Sequence, residues 1–324
     1  MAIYYFNLCH ITRRKGLSAV GRAAYMSCSR MRNESTGVIY NYTRKPGLVW
    51  QAVFLPDNAP RAWADRSVLW NAVEAKEKTT VSHLAREVVV ALPIELATPA
   101  WISLLKEYIL EQYVALGMCA DVSIHNTDGT NPHAHILLTG RPLLPDGSWA
   151  QKVEKVYICT RNKEQKLILA SEYAAASNEG WERQYAYQVG EEKQYMTAAE
   201  AALYGYPMKS REARSTNKLH PLVAQWRSVE QLIEWRKAWA DVVNRYLQAA
   251  DSSIRIDHRS YKERGIDLIP MIHEGSAARR IEARGGVSRR CEKNRQIRAE
   301  NARKQQATPL PVFQATTVTS SHTY

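Results

Sequence analysis

Apolar and polar positions alternate along this chain in two rhythms, one strand-like and one helical, and their order sketches the fold. Ala2 to Cys9, rich in Ile, Tyr and Phe, reads as a first strand followed by a basic loop through Lys15 and Gly16. Ser18 is placed to cap a helix that runs through Ala19, Ala23, Ala24 and Tyr25 to about Met31, ending in the polar stretch Asn33 to Gly37. A strand or hairpin region spans Val38 to Leu55, and Ala62 to Lys78 carries Trp63, Val68, Leu69, Ala72 and Val73 at near-helical spacing. A β-rich run, Glu87 to Leu92, comes next. Thr98 and Pro99 then open a helix whose apolar residues Ile102, Leu105, Ile109, Tyr113 and Leu116 recur every three or four positions, with Gly117 as its stop. Two short aliphatic runs, Val122 to His125 and His133 to Thr139, flank a loop of Asn, Thr, Asp, Gly and Pro. Beyond Pro145 the pattern reads as helical and charged, with Trp181, Trp226, Trp235 and Trp239 forming a second layer, and the last twenty residues read as a flexible tail.

Composition narrows what such a chain can be. Its 324 residues suggest two domains at about 150 residues each, and 45% hydrophobic with 23% charged residues excludes wholesale disorder. The net charge of +12 points to a polyanionic partner, nucleic acid or an anionic membrane surface. No apolar run approaches the roughly 18 residues of a bilayer span, so no membrane insertion is expected. Arg13, Arg14 and Lys15 follow the first apolar run, the reverse of a signal peptide, and no cleaved leader is expected. Five scattered cysteines without a C-x-x-C pair fit a reduced, cytoplasmic setting. Neither a phosphate-binding loop of the G-x-x-x-x-G-K-[ST] type nor G-x-G-x-x-G occurs.

The histidines change the picture most. On a strand, His133 and His135 project from one face while Ala134 turns to the other. If the preceding run pairs antiparallel, His125 reaches the same face, and three neutral imidazoles can converge on one cation with positions left open for a phosphate oxygen. Asp121, Asp128 and Glu87 are the candidates for orienting the imidazoles. A closed structural zinc site would want a fourth ligand, and Cys119 lies just upstream. Imidazoles favour zinc, nickel or copper by affinity, whereas phosphoryl chemistry commonly runs on magnesium or manganese.

A basic protein that acts on DNA can also keep the phosphate bond energy on a side chain, and a tyrosine can serve. Tyr25 lies among Ala23, Ala24 and Ser27 with Arg22 one turn before it. Spacing alone does not separate a nucleophile there from an ordinary packed helix tyrosine. Four blocks nevertheless resemble the MobA/MobL relaxases, conjugative mobilisation proteins of the HUH endonuclease superfamily. They are Ser18-Ala-Val-Gly-Arg-Ala-Ala-Tyr25, Leu84-Ala-Arg-Glu-Val-Val-Val-Ala-Leu-Pro93, Asn131-Pro-His-Ala-His-Ile-Leu-Leu-Thr139 and Ile256-Asp-His-Arg-Ser-Tyr261. The resemblance covers about residues 1 to 300 in matching order.

It implies an α+β fold with a central antiparallel, about five-stranded HUH-nuclease sheet flanked by helices, followed by a helical C-terminal extension. The expected divisions are a core over 1–220, a helical basic extension over 221–305 and a flexible tail over 306–324. The resemblance places Tyr25 at the nucleophile position, Glu87 at an acidic position near it, and His125, His133 and His135 at a divalent metal ion, Mg2+ or Mn2+. For Asp257, His258 and Arg259 it supplies a block but no role. The implied partners are single-stranded DNA at a transfer origin, relaxosome accessory proteins and a type IV coupling protein. Arg22, Arg44, Lys45 and Arg86 are candidate backbone contacts, and Tyr4, Tyr40, Tyr42 and Trp50 candidate stacking platforms.

The implied reaction is metal-assisted nicking through a 5′-phosphotyrosyl link, reversed after transfer. Two other classes stay open: a rolling-circle initiator or transposase with the same chemistry, and a non-catalytic origin-binding protein. The tyrosine precedes the histidines, the order of relaxases and the reverse of initiators. Charge placement agrees with a DNA partner. Residues 1 to 50 hold eight Arg and Lys against Glu34 alone, residues 277 to 304 hold ten against three Glu, and the remainder is nearly balanced.

Overall fold

A computed structural model describes residues 4–307 apart from 128, 130 and 273. Asp128 and residues 308–324, almost all of the expected tail, lie outside the described residues. Contacts divide the chain into two units, 1–258 and 259–324.

The first unit is built on five antiparallel strands. They are β1 (Phe6–Thr12), β4 (Leu48–Phe54), β5 (His83–Ala91), β6 (Ala120–His125) and β7 (His133–Thr139), with a small hairpin, β2 (Arg30–Arg32) and β3 (Ile39–Asn41), between the first two. Their spatial order is β1-β5-β7-β6-β4. Helix α1 (Ala19–Met26) and helix α2 (Arg66–Lys76) join them on the way, and α3 (Thr98–Ile109) connects β5 to β6. The α+β class and the five-stranded antiparallel sheet are as the resemblance implied.

Register fixes what each face carries. His125 pairs with His133, Ser123 with His135, Val89 with His135 and Glu87 with Leu137. Residues opposite one another share a face, so Glu87, Asp121, Ser123, His125, His133 and His135 all project to one side. Val88, Val90, Ala120, Val122, Ile124, Ala134, Ile136 and Leu138 project to the other and are completely buried. Both sides of the central strands are covered, which is why the second half of β5, Val88 to Ala91, reads as a continuous apolar run rather than an alternating one.

The apolar face packs on α3 and on two later helices, α6 (Pro221–Arg227) and α7 (Val229–Ala249). Trp226, Trp235 and Trp239 from these helices are in that core beside Tyr108 and Tyr113. The Tyr108 hydroxyl donates to the Trp235 carbonyl at 2.9 Å, and the Trp235 indole donates to the Gln112 carbonyl at 3.1 Å. Gln112 lies in the widened turn that ends α3, Leu110–Val114, where helix carbonyls lack intrahelical partners. The break expected at 220 thus falls inside the first unit, because the three tryptophans carry too much apolar area to stay outside the core.

Residues 153–219 depart from the helical expectation. They form β8 (Val153–Arg161), β9 (Glu164–Leu169), β10 (Glu182–Arg183), β11 (Tyr185–Val189), β12 (Glu192–Met196), β13 (Met208–Ser210) and β14 (Ser215–Leu219), in two small sheets, with short helices α4 (Tyr173–Asn178) and α5 (Ala198–Tyr204). The β8–β9 turn is Asn162-Lys163, both residues at positive φ. That is the twist a two-residue hairpin needs, and charged residues on the exposed strand faces hide the β pattern. Trp181 belongs here, packed with Cys159 and Ile168, rather than with the other three tryptophans.

The second unit holds α8 (Gly275–Ala283) and α9 (Arg289–Ala307). Asn294 and Asn301 on α9 each exchange two hydrogen bonds with the backbone of Ile272 and Ile269, binding an extended segment to the helix.

Replacing Trp235 by Ala removes a buried indole from the core, and we expect urea unfolding to show a loss of about 3–5 kcal/mol. A loss under about 1 kcal/mol would mean that α7 is not part of the first unit's core.

Candidate active site

Small residues let α1 approach its surroundings closely. Ala19, Ala23 and Ala24 are fully buried, and a Cβ on Gly21 would stand 2.8 Å from the Tyr40 ring on β3. The helix start is fixed twice over. Ser18 Oγ accepts from the Gly21 amide at 3.1 Å, and the buried Glu74 carboxylate accepts from Ser18 Oγ at 2.7 Å and from the Ala19 amide at 2.8 Å. Arg13 neutralises the same carboxylate at 2.7 Å. The helix ends at Met26 rather than Met31, because Cys28 turns into positive φ and β2 begins at Arg30.

Tyr25 near the C-terminal end of α1 is half-buried and faces the polar side of the sheet. Its ring meets His135 edge-on at 6.4 Å and Tyr42 at 5.3 Å between centroids. The Arg22 guanidinium lies 4.7 Å and the Lys45 ammonium 4.4 Å from the ring centre.

Glu87 connects the helix to the sheet. This carboxylate is 2% exposed, accepts from His135 Nδ1 at 2.8 Å and from Arg22 Nε at 2.8 Å, and forms a second, short bond with Arg22 Nη2. Burial works to raise its pKa, but the bonds from His135 and Arg22 outweigh it and hold the carboxyl below its ordinary range. Glu87 is therefore ionised.

The three histidines form a triangle with ring centroids 5.1 to 5.7 Å apart. Each has one nitrogen pinned by an acceptor-only group. His125 Nε2 donates to the Met26 carbonyl at 2.7 Å, His133 Nδ1 to the Asn131 carbonyl at 2.8 Å and His135 Nδ1 to Glu87. Such bonds fix the tautomers and leave one lone pair per ring: Nδ1 of His125, Nε2 of His133 and Nε2 of His135. Burial and the nearby Lys45 charge lower the His125 pKa to about 4, and burial lowers that of His133 despite its bond to Asn131. Neutral imidazoles are the ligating form. Among the described residues no three His, Cys, Asp or Glu side chains are gathered closely enough to hold a metal as they stand. The donor set fits a divalent cation in chemistry; its present spacing is not that of a loaded site.

Several expected contributors lie elsewhere. Arg86 is 4% exposed on the apolar face, where it donates to the Trp226 carbonyl at 2.6 Å, and burial pulls its pKa to about 10. It anchors α6 and cannot reach a DNA phosphate. Asp121 does not orient a histidine, since it is buried against Arg66 at 3.0 Å and the Trp70 indole at 2.9 Å. Cys119 precedes β6 at the end opposite His125, paired with Thr139, and is no fourth ligand. Tyr4 and Trp50 pack against the apolar core, while Tyr40 and Tyr42 surround α1. Arg44 is exposed, and Lys45 turns inward to His125 Nδ1 at 2.9 Å. Ile256 bonds to Asn244 on α7, and the His258 carbonyl accepts from Arg236, so this part of the unassigned block is a packing element of the first unit.

A five-stranded antiparallel sheet thus presents three strand histidines to a tyrosine on a helix packed against the same face. The chain belongs to the MobA/MobL family, whose profile it matches over residues 17–284. It is 35% identical to the probable mobilization protein MobA of Bifidobacterium longum over 93% of this chain and 48% of that one. It is 31% identical to the conjugal transfer protein TraA of Rhizobium radiobacter over 94% of this chain and 24% of that one. The chain thus spans about half the length of the first relative and a quarter of the second. A solved structure described as the molecular basis of vancomycin resistance transfer in Staphylococcus aureus superposes with a TM-score of 0.56. It is 25% identical, covering 80% of this chain and all of that one.

The depressed His125 pKa has a pH signature. The unfolded imidazole takes a proton below about 6.5 and the folded one only near 4, so the contribution of neutral His125 is present above pH 6.5 and lost on acidification towards 4. At 1.36 kcal/mol per unit the loss is on the order of 3 kcal/mol. Urea unfolding across this window should show His125→Gln losing less stability than the unsubstituted protein. Parallel profiles would contradict the buried neutral state.

Proposed function

We propose that this chain is a DNA relaxase domain that cuts one strand at a plasmid transfer origin by transesterification. The observation that carries the reading is the Arg22–Glu87–His135 link, which holds Tyr25 on α1 against the face bearing all three histidines. The Tyr25 phenol oxygen attacks the scissile phosphorus, an O–P bond forms as the phenol proton passes to water, and the bond to the 3′ oxygen breaks as that oxygen takes a proton from water. The products are a 5′-phosphotyrosyl link and a 3′-hydroxyl, with the phosphodiester energy retained for rejoining after transfer.

His125 Nδ1, His133 Nε2 and His135 Nε2 are the atoms that would hold a divalent cation, Mg2+ or Mn2+ by the family's chemistry. When bound, it supplies polarisation of the phosphate and offsets developing negative charge. The chain's own groups do the rest. Arg22 and Lys45 place positive charge beside the Tyr25 ring, where the attacking oxygen and the phosphate become more negative in the transition state. Glu87 is a positioning residue: with its oxygens engaged by Arg22 and His135, it fixes the helix and the tautomer of His135. Arg44, exposed and next to Lys45 in the chain, contributes to holding the backbone. Relaxosome accessory proteins and a type IV coupling protein are the proposed partners, and the cytoplasm the proposed place of action. Among the described residues no helix is long and apolar enough to cross a membrane.

Incubation with a labelled single strand of the transfer origin and Mn2+ tests the reading. The expected result is a covalent protein–DNA adduct, absent in Tyr25→Phe although that variant still binds the strand, and loss of metal-dependent nicking in His133→Ala. An adduct that persists in Tyr25→Phe would reject Tyr25 as nucleophile, and binding without nicking by any divalent ion would make the chain a non-catalytic origin binder.

A further inference from the structure

Lys45 makes a contact that goes beyond the charge it places beside the Tyr25 ring. Its backbone is fixed in the turn before β4. The Lys45 amide bonds to the Tyr42 carbonyl at 2.9 Å, and the Gly47 carbonyl accepts from Asn126 at 2.8 Å. Gly47 has φ +94°, and a Cβ there would meet Thr127 Oγ1 at 2.4 Å, so the turn lies directly on the loop that follows β6. From this turn the side chain runs inward over the Tyr25 ring. Its ammonium stops 2.9 Å from His125 Nδ1 and 3.9 Å from Cys28 Sγ. Among the described residues no carboxylate is paired with it.

The chemistry of that contact is unambiguous. His125 Nε2 carries its proton to the Met26 carbonyl, so Nδ1 holds the ring's lone pair. An ammonium has three donors and no acceptor, so Lys45 donates to that lone pair. A metal ion would need the same electrons, and two cations cannot share them. A phosphodiester oxygen is a charged acceptor and a better partner for an ammonium than a neutral imidazole.

We infer that Lys45 is a built-in competitor for the cation site: its ammonium occupies the ligating nitrogen of His125 in the DNA-free protein and leaves it when a strand's phosphate provides a stronger acceptor. This inference rests on the reading of the three histidines as a cation site and adds a regulation of it. Metal loading and strand binding then favour each other, and the coupling is reciprocal. A protein that carries its nucleophile and histidines together is thereby kept from holding its metal firmly without DNA.

Mn2+ titration of the full chain by electron paramagnetic resonance, without DNA, reads this directly. Lys45→Met is expected to bind Mn2+ about tenfold more tightly than the unsubstituted protein, equivalent to ~1.4 kcal/mol. Lys45→Gln should behave likewise if the Met variant folds poorly, and Lys45→Arg should stay near the unsubstituted affinity. Arg44→Met, which removes an exposed cation one residue away, should change the affinity less than about twofold if the effect is occupation rather than general charge. A mixed-sequence single-stranded oligonucleotide should tighten Mn2+ binding in the unsubstituted protein and not in Lys45→Met. Equal affinities for Lys45→Met and the unsubstituted protein, an equal gain in Arg44→Met, or no effect of the oligonucleotide would overturn the inference while leaving the cation site standing. Mn2+ binding that is absent everywhere, or unchanged by His133→Ala, would overturn the cation site and the inference with it.

Discussion

A single buried carboxylate, Glu87 at the middle of β5, joins the helix that carries Tyr25 to the strand that carries His133 and His135. It reaches one way to Arg22 on α1 and the other to His135 on β7. A carboxylate 2% exposed is unfavourable without partners, and two charge-assisted bonds to a guanidinium together with one to an imidazole are what let it remain ionised. The same electrostatic requirement that keeps Glu87 charged therefore sets the distance between the tyrosine helix and the histidine strand. Glu74 plays a parallel part at the start of α1, where it accepts from the Ala19 amide and Ser18. The helix is held by one buried carboxylate at its start and by another at its middle.

The two faces of the sheet divide the labour. The apolar face, closed by α3, α6 and α7 with three buried tryptophans, packs β5, β6 and β7 into the main core. A side chain on the opposite face is then placed to the accuracy of the strand ladder, which is what a site of several converging groups needs. Arg86 shows how strict the division is. It stands beside Glu87 in sequence, yet alternation sends it to the apolar face to bind α6, while Glu87 goes to the polar one.

Much of this was legible in the residues. Strand periodicity alone puts His133 and His135 on one face, an antiparallel partner brings His125 to them, and the observed register pairs His125 directly with His133. The helix through Tyr25 was legible from Ser18 as its cap, whereas its early end at Met26 was not. What was not legible depends on contacts between distant segments. Nothing local tells that Lys45 turns inward while Arg44 stays out, since the turn is set by Gly47 meeting Thr127 eighty residues on. The small sheets of residues 153–219 were hidden by charged residues on exposed strand faces, which mimic a solvated helix. The tryptophans of α6 and α7 were read as a second layer, and their place in the main core follows from Gln112 and Tyr108, whose bonding capacity the sequence does not display.

The central claim is that one polar sheet face and one helix make a single reaction centre at Tyr25. Peptide mapping by mass spectrometry of the protein–DNA adduct tests it most directly. The account predicts that nucleotide mass is found on the peptide containing Tyr25, at the phenol oxygen. Nucleotide mass on a different residue, such as the neighbouring Tyr42, would contradict it.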